Sequence, residues 1–212
     1  MTTMNSTRRA LRIGTTATAL LVALAALAGA GCAAKGTGPY EPNTEANRDT
    51  VRAERLTQQA VEVMDKDPEK AEALLREALT ADLYHGPAHN NLGVLYLKQS
   101  KLYDAAGEFE WARKLLPGHP DPRFNLALVL ETAGRPDQAL AMYDTALEVY
   151  PEHIATMQAV ARLQLRNLSP DDRTRGFLDE IALRGETLQW QKWAQQQLAM
   201  HPGGFGTNRH GG

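Results

Sequence analysis

The sequence predicts an all-α fold in which helical hairpins stack into a solenoid that capping helices close at its C-terminal end. Two observations carry this prediction. A pattern of residue types recurs with a period of about 34 residues in the middle of the chain, and helix start and stop signals flank its copies. Repeats of this length are typical of helical hairpins that cannot bury their apolar faces alone and therefore stack on one another.

The period becomes visible when residues 86–119 are aligned with residues 120–153. The shared positions hold an amide, an apolar and a small residue in the first helix, two alanines around an aromatic residue in the second, and a final proline. The seven pairs are Asn91 and Asn125, Leu92 and Leu126, Gly93 and Ala127, Ala105 and Ala139, Phe109 and Tyr143, Ala112 and Ala146, and Pro117 and Pro151. Small residues at these places indicate closely packed helices, because side-chain size sets the distance between helix axes.

These positions resemble the tetratricopeptide repeat, with its Leu-Gly-x-x-Tyr pattern followed by alanine, an aromatic residue, alanine and proline. The resemblance is strong for the two aligned copies. It implies a repeat domain over residues 47–200 and a groove lined by the first helix of each repeat. The full expected division is 52–85, 86–119, 120–153, a degenerate copy at 154–184, a capping helix at 186–200 and a disordered tail at 201–212.

Capping signals support these helices. Asp67-Pro68 and the run Ser169-Pro170-Asp171-Asp172 place a capping side chain next to a proline that suits the first helical turn. Gly134 separates the two helices of repeat 120–153. We expect Trp190 and Trp193 to lie on one face of an amphipathic last helix that closes the open end of the stack.

The N-terminal residues 1–31 read as a secretory signal peptide. Three arginines precede an apolar stretch of about 16 residues, which is shorter than the ~20 that a spanning helix needs. Gly29-Ala30-Gly31-Cys32 resembles a bacterial lipobox, which implies palmitate-type lipidation at Cys32, although Gly29 departs from that motif. The alternative is ordinary cleavage of the signal peptide, which would leave Cys32 as an unmodified thiol. Residues 32–46 would then form a flexible tether, and the protein would face the periplasm from the outer membrane.

Several functional classes are disfavoured. The net charge of −2 argues against nucleic-acid binding, and the single cysteine excludes an internal disulfide and cysteine-based zinc sites. His85, His119 and His153 recur at the repeat interval, but equivalent corners of stacked repeats lie too far apart to share an ion. We expect solvated loop histidines there. No nucleotide-binding or hydrolase motif is present, so we expect no enzyme activity, cofactor or metal.

The inward positions of the first helices form the candidate binding site. Asn91 and Asn125 would make an amide ladder that pairs with the main chain of an extended peptide. Arg162 and Arg166, together with Lys98, could receive a carboxylate. In the alternative, the asparagines bond to neighbouring helices and the arginines pair with local acids. The complete predicted groove comprises Asn90, Asn91, Val94, Lys98, Phe124, Asn125, Leu128, Gln158, Arg162 and Arg166.

The sequence therefore predicts a non-enzymatic, lipid-anchored scaffold of the bacterial envelope that binds a peptide or protein partner. Pilus or secretion assembly and outer-membrane assembly are the expected settings. The competing hypothesis is a structural module that forms homo-oligomers by stacking through Trp190 and Trp193, without a ligand in the groove. A weaker third idea is a subunit or regulator of an envelope hydrolase.

Overall fold

A computed structural model describes residues 48–167, 169–203 and Phe205. The described residues contain nine helices and no strand, which confirms the all-α prediction. The predicted signal peptide, Cys32 and the predicted tether up to residue 46 lie outside these residues. The helices are α1 (Thr50–Val63), α2 (Pro68–Ala81), α3 (Gly86–Lys98), α4 (Leu102–Leu115), α5 (Asp121–Thr132), α6 (Pro136–Val149), α7 (Ile154–Arg166), α8 (Asp172–Arg184) and α9 (Leu188–Met200).

The helices pair in chain order as four hairpins, and each hairpin packs on the next. The first helix of one repeat also contacts the first helix of the following repeat, in the pairs α1 with α3 and α3 with α5. This places the first helices side by side. The helices α5 and α7 pack against each other less closely, although they hold the same places in their repeats. None of the described helices has the length and apolar character needed to cross a membrane.

Local signals start the helices much as the sequence predicts, with one correction. The Asp67 side chain accepts a hydrogen bond from the Lys70 amide at the start of α2. The cap of α8 is Asp171, because its carboxylate accepts from the Thr174 amide while the Thr174 hydroxyl accepts from the Asp171 amide. The preceding Ser169-Pro170 pair makes no cap. This reciprocal pairing satisfies two amides at the helix start.

The short turn between the two helices contains a left-handed residue in the second and third repeats. Gly134 has φ of 73° in the third repeat, and Ser100, at the equivalent position of the second repeat, has φ of 59°. Glycine takes this conformation without steric cost, whereas a residue with a Cβ pays for it. The second and third repeats therefore share the backbone conformation of this turn, whereas the described turn of the first repeat has no left-handed residue.

The core is built where small residues meet an aromatic ring. A Cβ added to Gly93 would lie 2.6 Å from the ring of Phe109, so α3 and α4 are in contact at this point. The matching pair one repeat later, Ala127 and Tyr143, is fully buried. The four alanines that the period places on the second helices are fully buried as well: Ala105, Ala112, Ala139 and Ala146.

Both ends of the described chain are attached to the stack. The Arg48 guanidinium donates two hydrogen bonds, of 2.7 and 3.0 Å, to the buried Asp82 carboxylate in the loop between α2 and α3. At the other end, Phe205 packs against His201 and is buried in the apolar cluster beneath α9. Phe205 belongs to the tail that the sequence predicts to be disordered, and residues 206–212 of that tail lie outside the described residues.

We predict that Gly93→Ala destabilises the protein, because the new methyl group would overlap the fully buried Phe109 ring. The expected loss in the free energy of unfolding is about 1–3 kcal/mol, measured by urea denaturation followed by circular dichroism. Gly107→Ala is the matched control, since a Cβ there meets nothing within 4 Å. It should stabilise α4 by up to about 1 kcal/mol. Equal effects of the two substitutions would contradict this account of the helix contact.

Candidate binding groove

The groove is the surface formed by α5, α7 and α9, and it contains two adjoining cavities. The larger cavity has a volume of about 500 Å³ and is the Trp190 cavity. The smaller, about 290 Å³, is lined by Arg162, Gln189, Trp190 and Trp193. The two cavities share Arg162 and Trp190. The residues that line the Trp190 cavity are Phe124, Leu128, Ala155, Gln158, Ala159, Arg162, Glu186 and Trp190.

The structure brings four of the predicted groove residues together and adds a wall that sequence reasoning missed. Phe124, Leu128, Gln158 and Arg162 share the Trp190 cavity, and the additional wall is Trp190 itself. The repeat period in the sequence could have identified Trp190 as a groove residue. Helix α9 begins at Leu188, one repeat period after the start of α7 at Ile154, so it occupies the place of a first helix in a fifth repeat. The same period that located the other groove residues therefore extends to α9.

The two tryptophans line the smaller cavity of the groove and also pack against the last apolar cluster of the stack, so the capping role of α9 stays a prediction. Their ring centroids lie 5.2 Å apart with the planes nearly perpendicular. Perpendicular aromatic contact of this kind holds both rings in place. The large apolar side chains that α8 and α9 expose near their connection are instead Leu183 and Leu188.

Asn90 and Asn91 line a separate cavity of about 230 Å³ between the second and third repeats, whereas Asn125 is not among its lining residues. The Asn125 amide donates a 3.0 Å hydrogen bond to the Asn90 side-chain oxygen, so these two residues join α5 to α3. This contact matches the alternative interpretation, in which Asn125 bonds to a neighbouring helix. Asn91 also lines the cavity, and its side chain makes no hydrogen bond with other described residues. The ladder of Asn91 and Asn125 stays a prediction.

The two arginines share one carboxylate from the neighbouring repeat. Arg162 and Arg166 each approach a different oxygen of Glu131, at 3.1 Å in both cases. The Tyr143 hydroxyl donates to the same carboxylate at 3.1 Å. Burial raises the pKa of Tyr143, and the negative charge of Glu131 raises it further. Glu131 is therefore a largely buried anion that connects the core of the third repeat to the groove.

The remaining predicted groove residues lie elsewhere. Lys98 pairs with Asp65 at 2.6 Å in the loop after α1, and its hydrogen bond holds the pKa of Asp65 below the usual range. Val94 is half-buried and packs against the apolar cluster that extends from the first to the third repeat. The combined site of Lys98, Arg162 and Arg166 for one carboxylate is thus replaced by two separate ion pairs within the chain.

The recurrent histidines form contacts between repeats. The Asp121 carboxylate lies 3.2 Å from His153 and 3.6 Å from His119. The hydrogen bond from His153 holds the pKa of Asp121 below its usual value, and the charge of His119 adds to this effect. The side chains of His85 and His153 are mostly buried, so the expectation of solvated histidines holds only for His119. No three histidine, cysteine or acidic residues within the described ranges are grouped so that they could hold a metal.

Comparisons with known proteins agree with this architecture. The model of the tetratricopeptide repeat family matches residues 120–163. Tetratricopeptide repeat protein 8 of Mus musculus is 28% identical over 98 residues, which are 46% of this chain and 19% of the relative. The chain thus spans about a fifth of the length of this curated relative.

Three solved structures share the fold at low sequence identity. A mutant O-GlcNAc transferase of Thermobaculum terrenum has a TM-score of 0.57 and 23% identity, over 63% of this chain and 26% of that chain. The first repeat domain of Spaghetti (RPAP3), bound to the HSP90 peptide SRMEEVD, has a TM-score of 0.54 and 15% identity, over 58% of this chain and 98% of that chain. The pilF protein of Pseudomonas aeruginosa has a TM-score of 0.53 and 19% identity, over 73% of this chain and 79% of that chain.

The helix pairs, the small residues at their contacts and these similarities together define the class. The described residues have the helical-repeat fold of tetratricopeptide repeat proteins, and residues 120–163 match the model of that family. Proteins of this class act as scaffolds for protein–protein interaction, and that general function is the one its fold supports.

We predict that Glu131→Gln lowers the free energy of unfolding by about 1–2 kcal/mol, because Arg162 and Arg166 lose their shared carboxylate while remaining half-exposed to water. Tyr143→Phe should cost about 1 kcal/mol, since it removes one hydrogen bond. Urea denaturation measures both. Glu110→Gln, which breaks an exposed pair with Arg113, is the control and should change stability by less than about 0.5 kcal/mol. A cost at Glu131 no larger than at Glu110 would contradict the buried role of Glu131.

Proposed function

We propose that this chain is a non-enzymatic scaffold of the bacterial cell envelope that holds a peptide segment of a partner protein in the groove. The observation that carries the proposal is the pair of cavities between α5, α7 and α9, in which aromatic walls surround amide and guanidinium groups. Concave apolar sites with a few polar groups are typical of ligand-binding surfaces. The side chains on these walls suit binding, and no cofactor is required for it.

The peptide-bound repeat domain of RPAP3 supports the choice of ligand, because its fold presents a peptide-binding surface. That neighbour is 15% identical, so its particular peptide is not transferred to this chain. Glu131 already neutralises part of the charge of Arg162 and Arg166. We therefore propose that the partner segment binds chiefly through apolar and main-chain contacts, with the arginines as a secondary site.

The proposed location rests on the N-terminal sequence. The basic, apolar and small-residue order of residues 1–31, followed by Cys32, supports export and a lipid anchor in the outer membrane. The similarity to the pilF protein of Pseudomonas aeruginosa adds a fold-level argument for pilus or secretion assembly. Outer-membrane assembly is the other proposed setting. The similarity to an O-GlcNAc transferase covers 26% of that chain and supports no activity here.

Self-association remains the alternative function. Leu183 and Leu188 are 79% and 63% exposed near the C-terminal end of the stack, which favours contact between copies there. Sedimentation at increasing protein concentration separates the two functions. Assembly that Leu183→Asp abolishes, with no partner bound in the groove, would favour the alternative.

We predict that a photo-crosslinking amino acid at Leu128, which lines the Trp190 cavity, captures a discrete partner in living cells. The same group at Tyr103, which is 91% exposed on α4, should capture none, because α4 lies outside the groove. Mass spectrometry of the adducts identifies the captured chain. Identical adducts from both positions, or none from Leu128, would argue against binding in the groove.

We also predict that Cys32→Ser releases the protein from membranes, because the lipid anchor would then be missing. Fractionation of cells and mass measurement of the mature N-terminus check this. Cys32→Ala is the second variant, since it removes the thiol without leaving a hydroxyl. Continued sedimentation of both variants with membranes would refute lipid anchoring at this residue.

A further inference from the structure

The Trp190 cavity contains a buried polar group that lacks a partner. The Gln158 side chain of α7 lines this cavity and is only 3% exposed. Its amide nitrogen, Nε2, makes no hydrogen bond with any described residue. Nearly all buried polar groups in folded proteins are hydrogen-bonded, because an unpaired one has lost its contacts with water. A rotation of the terminal amide about its last side-chain bond would turn this nitrogen toward the cavity, where an acceptor brought by a ligand would supply the missing bond.

The walls around Gln158 are apolar and held in place. Phe124 and Leu128 come from α5, and Trp190 comes from α9. The Phe124 ring lies 5.7 Å from the ring of Tyr143 and 5.6 Å from that of His153, which restricts its rotation. The opening between α5 and α7 provides a volume of about 500 Å³. A single large side chain fits such a space, and the apolar walls favour an apolar one.

The charges at the cavity argue for an uncharged occupant. Arg162 lines it and is paired with Glu131, which Arg166 shares. Glu186 also lines the cavity and supplies a second negative charge. The charges of these four groups, of which Arg162 and Glu186 line the cavity itself, sum to zero. A charged side chain entering the cavity would leave water without gaining an opposite charge of its own.

We propose that the Trp190 cavity is a specificity pocket for one large uncharged side chain, aromatic or branched aliphatic, of the bound segment. The main-chain carbonyl oxygen of that segment accepts a hydrogen bond from Gln158 Nε2. This inference rests on the proposed function, because it names the chemical feature by which the groove selects its peptide. Gln158 fixes the position of the main chain, and Trp190 covers the inserted side chain.

Titration of the ¹⁵N-labelled full chain with blocked amino acids tests the proposal. The probes are N-acetyl-phenylalaninamide, N-acetyl-aspartic acid amide and N-acetyl-lysinamide, each of which has the same main-chain carbonyls. We expect the phenylalanine probe to shift the Trp190 indole and Gln158 amide signals in a saturable way, and the two charged probes to bind at least five-fold more weakly. Equal binding of all three probes, or no saturable shift, would overturn the proposal.

Gln158→Leu keeps the size of the side chain and removes the donor. It should weaken binding of the phenylalanine probe about five-fold, the effect of one hydrogen bond near 1 kcal/mol. Gln195→Leu, at an exposed position of α9, should leave binding unchanged. Without probe, Gln158→Leu should unfold at the same temperature or higher, because it removes an unpaired buried donor. A lower unfolding temperature, or unchanged probe binding, would contradict the role of Gln158.

The crosslinking and titration results together distinguish the specificity pocket from the scaffold function. A partner crosslinked from Leu128, together with unselective probe binding, would reject the specificity pocket and leave the scaffold function standing. Failure of the crosslink together with selective probe binding would instead support a pocket and reject the proposed partner segment.

Discussion

The whole structure depends on how closely the two helices of a repeat approach one another. Gly93 allows α3 to lie against the Phe109 ring of α4, and alanine holds the same place one repeat later against Tyr143. Because these contacts recur at a fixed interval along the chain, each hairpin presents the same face to the next. The first helices are thereby placed side by side, and the groove is the surface that results. A bulkier residue at the contact would change the geometry of the repeat, and the groove with it.

The fold could be predicted from the sequence because its determinants are local and periodic. Small residues, aromatic residues and caps such as Asp67 recur at spacings that a single chain displays directly. The groove could be predicted only in part. The amphipathic pattern of α9 predicts a cap that contains Trp190, although the period also places this residue in the groove. The shared use of Glu131 by two arginines, and the unpaired amide of Gln158, arise from packing between repeats, for which a single sequence gives no spacing rule.

Glu131 gives the groove a charge balance that is set by the fold. The carboxylate is 9% exposed, hydrogen-bonded to Tyr143 on one side and paired with Arg162 and Arg166 on the other. A carboxylate so placed orients both guanidinium groups before any ligand arrives, and pre-orientation lowers the entropic cost of binding. It also connects the packing of the third repeat to the surface of the fourth. Recognition and stability are therefore not separate properties of this part of the molecule.

The Arg48–Asp82 pair has a mechanical consequence. Burial of Asp82 opposes its ionisation, yet the bonds from Arg48 and from the Tyr84 amide hold the pKa of that carboxyl below its usual value, so the pair stays charged at neutral pH. Asp82 lies at the junction of the first two repeats. A pull on the chain ahead of Arg48 is therefore delivered to this junction, bypassing the free end of α1. The first hairpin, residues 49–81, lies between the two linked residues and is shielded from the pull for as long as the pair holds.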